Sequence, residues 1–131
     1  MALYLSEDWH AQALTLAGAI LPERRGASAR LLVQVIDGAE SAKYHQVIVD
    51  GRISEQGAGE PVGEPAAVVL SIQRADAVAL QRGDLDVNVA LMQGRVKVAG
   101  DMGGVLAIVP VTSSREYAEL QLALSAVTEF D

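Results

Sequence analysis

DAVALQRGDLDVNVALMQGRVKVAGD, residues 76–101, is the stretch on which the fold turns. It reads as a helix, a glycine stop, a second short helix, another glycine stop and a strand. Gly83 and Gly94 are the stops, since a left-handed residue at a helix C-terminus costs glycine little. Asp76 and Asp86 stand where helix N-caps are expected. Polar and apolar residues alternate over 95–99, which puts Val96 and Val98 on one face of a strand. Gly100-Asp101 then turns the chain, and Asp101 is placed to cap the next element.

Downstream, the apolar run 105–109 fits a helix or a strand, and Pro110 is expected to end it. Ser113 and Glu116 have the spacing of a capping box. The closing helix then shows Tyr117, Leu120, Leu124 and Val127 along one stripe, with Phe130 near its end. Upstream, 66–72 is an apolar run broken only by Ser71, of the kind found inside a sheet. Residues 55–65 hold three glycines, two prolines and three glutamates and read as a flexible loop. Residues 44–53 form a strand that Asp50-Gly51 either splits into a hairpin or leaves whole. Residues 29–36 make another strand, bounded by the turn signal Asp37-Gly38. The first helix opens at Ser6-Glu7-Asp8, carries Trp9, Ala13, Leu16, Ala17 and Ile20 at helical spacing, and stops at Pro22 and Gly26. A helix, a run of strands and a mixed ending predict an α+β fold in which helices cover one sheet. At 131 residues the chain is expected to form a single domain, 1–131.

Half of the residues are apolar, yet only one Trp, three Tyr and one Phe are aromatic. The core is therefore aliphatic, which suits an aliphatic ligand better than a planar base. Seventeen acidic residues against ten basic ones give a net charge of −7. Only Arg24 and Arg25 are adjacent, so nothing gathers the positive charge that a nucleic acid or an anionic bilayer requires. Cysteine is absent, which removes disulfides, thiol catalysis and thiolate metal sites. No window approaches the roughly 18 apolar residues of a membrane span, so stable membrane insertion is not expected and the chain reads as soluble and cytoplasmic.

Catalytic groups are few. His10 and His45 are the only histidines, neither has a partner at metal-ligand spacing, and a surface position is the simpler reading of both. His45, beside Lys43 and Tyr44, is the stronger of the two as a general base. No serine sits in a nucleophile elbow. Gly57, Gly59 and Gly63 imitate a phosphate loop but have no following helix and no lysine. Residues 100–104 could offer backbone N–H groups to an anion at a helix start, but Asp101 would repel it. No metal, no cofactor and no catalytic residue is expected.

The segment resembles the sterol carrier protein 2 family. The resemblance rests on Asp76, Leu80, Gly83, Leu91, Met92, Gly94, Val96, Val98, Gly100, Asp101 and Leu106, and its specific part covers residues 66–108. It implies a single mixed five-stranded sheet covered by helices on one face, with an apolar tunnel between the layers. It further implies a non-catalytic domain that binds or transfers a lipid: a fatty acid, a fatty acyl-CoA, a sterol or an isoprenoid. The tunnel wall would come from Val89, Met92, Leu106, Ile108, Leu120, Leu124 and Val127, although each taken alone reads equally as ordinary core. The closing helix, with its own cap and the proline before it, is the candidate lid. Two rivals stand beside this reading. One is a small enzyme acting on a lipid or steroid in an apolar pocket, with His45 or a buried acid such as Asp101 as base. The other is a closed-core module for protein interaction. A homodimer through the closing helix, or an unidentified protein partner, is compatible with all three.

Overall fold

A computed structural model of the chain describes residues 1–130. In chain order the elements are β1 (Ala2–Leu3), α1 (Glu7–Ile20), β2 (Ala29–Asp37), β3 (Glu40–Val49), β4 (Arg52–Ala58), β5 (Val68–Gln73), α2 (Arg74–Arg82), α3 (Val87–Met92), β6 (Val96–Gly100), α4 (Met102–Thr112), α5 (Arg115–Ala126) and β7 (Thr128–Glu129). Five strands form one mixed sheet in the order β4-β3-β2-β5-β6. The β2–β5 pair is parallel and the other pairs are antiparallel.

Asp50-Gly51 does split the second strand. Asp50 (φ 48°) and Gly51 (φ 85°) both adopt the left-handed backbone of a tight hairpin turn. Beyond it, β4 takes up part of the region read as loop and becomes an edge strand. Residues 59–67 are tied to the second face of the sheet. Arg30 Nη2 donates to Val62 O (3.1 Å) and Glu64 O (2.8 Å), and Val62 N donates to Glu55 Oε1 (3.3 Å). Pro61, Leu32 and Val47 are buried on that side.

Caps settle most helix starts. Ser6, Asp86 and Asp101 accept from Trp9 N, from Asn88 N and Val89 N, and from Gly103 N respectively. Three local readings need correction. Asp76 lies inside the first turn of α2, because β5 runs straight into the helix and Gln73 occupies the cap position without a side-chain bond. Asp76 instead meets Arg95 Nη1 at 3.4 Å. Ser114, not Ser113, caps α5 by accepting from Tyr117 N (3.1 Å). Glu116 is thereby free to pair with Arg24 Nη2 at 3.1 Å. Pro110 sits within α4 without ending it. It lies on the solvent side, where the Leu106 carbonyl that it cannot serve belongs to an exposed residue.

The sequence pattern gave no hint of the small parallel ribbon β1–β7, which joins Ala2 to Thr128 and Leu3 to Glu129. It is locked by Trp9 Nε1 donating to Thr128 Oγ1 at 3.0 Å. The main core, around Ala17, Leu31, Ile48, Val68, Ile108 and Leu120, lies between the helices and one face of the sheet.

Candidate functional site

The sheet supplies the floor of the site by simple alternation. Leu31, Val33 and Val35 of β2 share a face with Leu70 and Ile72 of β5, Val96 of β6, and Tyr44 and Gln46 of β3. Above them stand Trp9 and Ala13 of α1, Ala77 and Leu80 of α2, Val87 and Leu91 of α3, Val105, Ile108, Val109 and Thr112 of α4, and Tyr117, Leu120, Gln121 and Leu124 of α5. Floor and walls line a cavity of about 160 Å³.

Among the described residues, none of the lining side chains is charged. The four glutamines among them fall into two groups with different duties. Gln81 and Gln121 staple α2 to α5: Gln81 Nε2 donates to Gln121 O (3.2 Å), and Gln121 Nε2 donates to Leu80 O (3.0 Å). Ser125 Oγ adds a third bond to Gln81 O at 2.6 Å. Gln46 and Gln56 face each other across the β3–β4 ladder, Gln46 Nε2 donating to Gln56 Oε1 at 2.9 Å. Gln56 Nε2 continues to His10 Nδ1 at 3.2 Å.

Aromatic rings close this end of the cavity. Trp9 meets Tyr4 edge-on at 5.0 Å and Tyr44 at 6.2 Å, while His10 lies 5.1 Å from the Tyr44 ring. Burial pushes the Tyr4 hydroxyl up to about 12, against a smaller opposing pull from Arg74. Burial likewise raises Tyr44 and Tyr117 above the ordinary phenol value. All three hydroxyls are neutral donors at pH 7. His10 is buried, and desolvation, with a smaller contribution from His45, lowers its pKa to about 4, so the ring is neutral as well.

Ile108, Leu120 and Leu124 lie on the wall, while the structure places four other expected residues elsewhere. Val89, Met92 and Leu106 turn to solvent, at 41 %, 86 % and 66 % exposure. Their helices are apolar on more than one side, so composition could not say which side faces in. Val127 does not line the cavity itself but packs against the cluster of Tyr4, Trp9 and Leu124. The sheet floor, the aromatic end and the four lining glutamines lie outside the expected set. The usable signal for Gln46 was its period-two place between Tyr44 and Ile48, a polar residue where alternation demands an inward one.

The catalytic candidates sit away from the cavity. His45 is buried on the second face, with Nε2 3.0 Å from Glu55 Oε1 and Nδ1 3.1 Å from Gly59 O. Asp101 caps α4 and is exposed. Among the described residues there is no group of three or more metal-binding side chains, and no helix long and apolar enough to cross a membrane.

Comparison with known proteins agrees with this architecture. Residues 12–113 match the model of the SCP-2 sterol transfer family. A crystal structure of sterol carrier protein 2 superposes with a TM-score of 0.66 at 17% identity, covering 91% of this chain and 97% of that one. The solution structure of a conserved hypothetical protein from Thermus thermophilus, described as possibly a sterol carrier protein, gives 0.66 at 19% identity over 92% and 88%. Palmitated SCP2L2 from Aedes aegypti gives 0.61 at 18% identity over 82% and 94%. No curated protein matches the chain. With the family model spanning most of its length and the five-stranded sheet in place, the chain belongs to the SCP-2 sterol transfer family.

Proposed function

We propose that this protein binds and carries an apolar lipid in the cavity between sheet and helices, without acting on it chemically. The observation that carries the reading is the uncharged, mainly aliphatic lining of the cavity between sheet and helices. Such a surface gains about 0.8 kcal/mol for each buried CH₂ of a ligand chain. Family membership supports it, as does the palmitate on the Aedes aegypti relative. Both histidines lie outside the lining, which favours a carrier over an enzyme, and a closed-core interaction module has no use for the void.

The cavity is smaller than the roughly 300–1,000 Å³ of ordinary small-molecule sites, so a long chain enters only as the walls part. The closing helix α5 is poorly suited to move. It holds α2 through three hydrogen bonds and Arg24 through Glu116. The six-residue α3 buries only Ala90, and its movement would extend the void toward the tunnel expected between the layers. We assign the opening to α3.

Trp9 is the only tryptophan and lines the cavity, which makes its emission a direct reporter. Titration with a long-chain lipid should give a saturable change at one ligand per chain, and native mass spectrometry should show the same stoichiometry. A Trp9 signal that never saturates, with no adduct in the mass spectrum, would sink the proposal.

A further inference from the structure

We propose that the free edge of β6 is a dimerisation surface, on which β6 of a second copy of this chain pairs antiparallel about a two-fold axis through Val98. β6 ends the strand order β4-β3-β2-β5-β6. At the other end α1 packs against β4, and Arg52 Nη2 donates to Gly18 O at 2.7 Å. The β5–β6 ladder shows which backbone groups are free. Asp101 N–H donates to Ala67 O, and Lys97 and Ala99 stand opposite Ser71 and Val69, so their N–H and C=O groups turn into β5. Those of Val96, Val98 and Gly100 turn the other way, and among the described residues they have no hydrogen-bond partner. Such a row is a template for a further strand.

The row is complementary to itself. Turned about Val98, Val96 of one copy meets Gly100 of the other and Val98 meets Val98, so every free N–H faces a free C=O. Val96 and Val98 point to the helix side, where Val96 lines the cavity and Val98 packs on the main core, yet both stay partly exposed. The second strand covers what they still show to water. Lys97 and Ala99 are exposed on the opposite face. A lysine commonly guards an open edge. In this register, however, Lys97 stands opposite Ala99 of the other copy and not opposite its own counterpart, so the guard does not act against the chain itself. Charge favours the same occupant. At each end of the seam Arg95 stands opposite Asp101 of the other copy. Both are exposed, and only Nη1 of Arg95 is engaged, with Asp76 at 3.4 Å. Two copies that each carry a net charge of −7 thus meet where opposite signs face each other.

A seam this short belongs to the weak, transient class of interface. Sedimentation equilibrium of the full chain should show the mass rising from 13.8 kDa toward twice that value between about 10 µM and 1 mM. Ala99 supplies the decisive variants, because it is exposed and meets Lys97 of the other copy only in the dimer. Ala99→Glu should tighten association about fivefold and Ala99→Lys weaken it about fivefold, through a cross-strand pair on each side of the axis. Net charge alone acts in the reverse order, since glutamate makes each copy more acidic. Val98→Pro deletes an N–H that points away from β5, where an edge strand tolerates proline, and should abolish the dimer. Circular dichroism checks the fold of that variant, and the Ala99 pair decides the matter if it does not fold. A chain that stays at 13.8 kDa up to about 1 mM overturns the proposal and leaves the edge to an extended segment of another protein. Ala99→Lys associating as tightly as Ala99→Glu overturns it too, as does a folded Val98→Pro chain that remains dimeric.

Discussion

Gly100 joins β6 to α4 with a φ of +97°, and a methyl group on its Cα would run into the carbonyl oxygen of Ala67 on the approach to β5. That oxygen accepts the Asp101 N–H at 3.0 Å, and the Asp101 side chain in turn caps α4. Gly100→Ala therefore has two separable costs. The left-handed backbone alone costs an alanine about 1–2 kcal/mol. Relieving the clash requires β6 to move off β5, which gives up one backbone hydrogen bond and disturbs a cap, each worth about 1 kcal/mol. The sum is about 3–4 kcal/mol, a large share of the roughly 5–15 kcal/mol that holds a small domain together. Gly94 provides the control in the same segment. Its φ is +71°, but nothing lies within 4 Å of the added methyl group. Gly94→Ala should cost only the backbone part, about 1 kcal/mol. Urea unfolding followed by Trp9 emission and far-ultraviolet circular dichroism measures both. Equal losses for the two variants, within about 0.5 kcal/mol, would falsify the claim that close approach of β5 makes Gly100 special.

Further outcomes are equally specific. His10 is held neutral with a pKa of about 4, below its unfolded value of about 6.5. The unfolded chain takes up the extra proton between these values, so stability should fall as pH drops from about 6.5 to 4, by up to about 3 kcal/mol. His10→Asn keeps an acceptor for Gln56 and should flatten that part of a stability–pH profile; an unchanged slope assigns the effect elsewhere. Ser114→Ala should lose about 1 kcal/mol in denaturant unfolding and Ser113→Ala only a few tenths, because only Ser114 serves the α5 N-terminus. Ala77→Leu projects three further carbons into the cavity. It should reduce alkyl-ligand affinity at least about tenfold in a Trp9 titration while leaving thermal stability within about 1 kcal/mol of wild type.

Much of this molecule is legible in its sequence because the signals involved are local. Asp86 and Asp101 announce helix starts through short side chains that reach the nearest N–H groups. The apolar runs of β2 and β5 mark strands inside a sheet. The direction of α3 and α4 was not legible. Met92 and Leu106 are as apolar as Leu91 and Ile108, so hydrophobicity does not distinguish outside from inside. Register errors of one residue, as at Ser113 and Ser114, arise where two equivalent caps stand side by side. Burial of His10 and His45 was equally hidden, since one depends on β4 passing beneath α1 and the other on residues 59–67 crossing the sheet. Two-residue strands such as β1 and β7 have no period to detect; only the distant partner defines them.

That ribbon bears on how the chain folds. The Trp9–Thr128 bond closes a separation of 119 residues, and contacts so remote carry a large loop-closure entropy until the sheet between them exists. The β1–β7 pair is then expected among the last structure to form, with mutational effects appearing in the unfolding rate rather than the folding rate. Because Trp9 of α1 both bonds to the ribbon and lines the cavity, the same fluorophore that reports an occupied cavity also times the final step of folding.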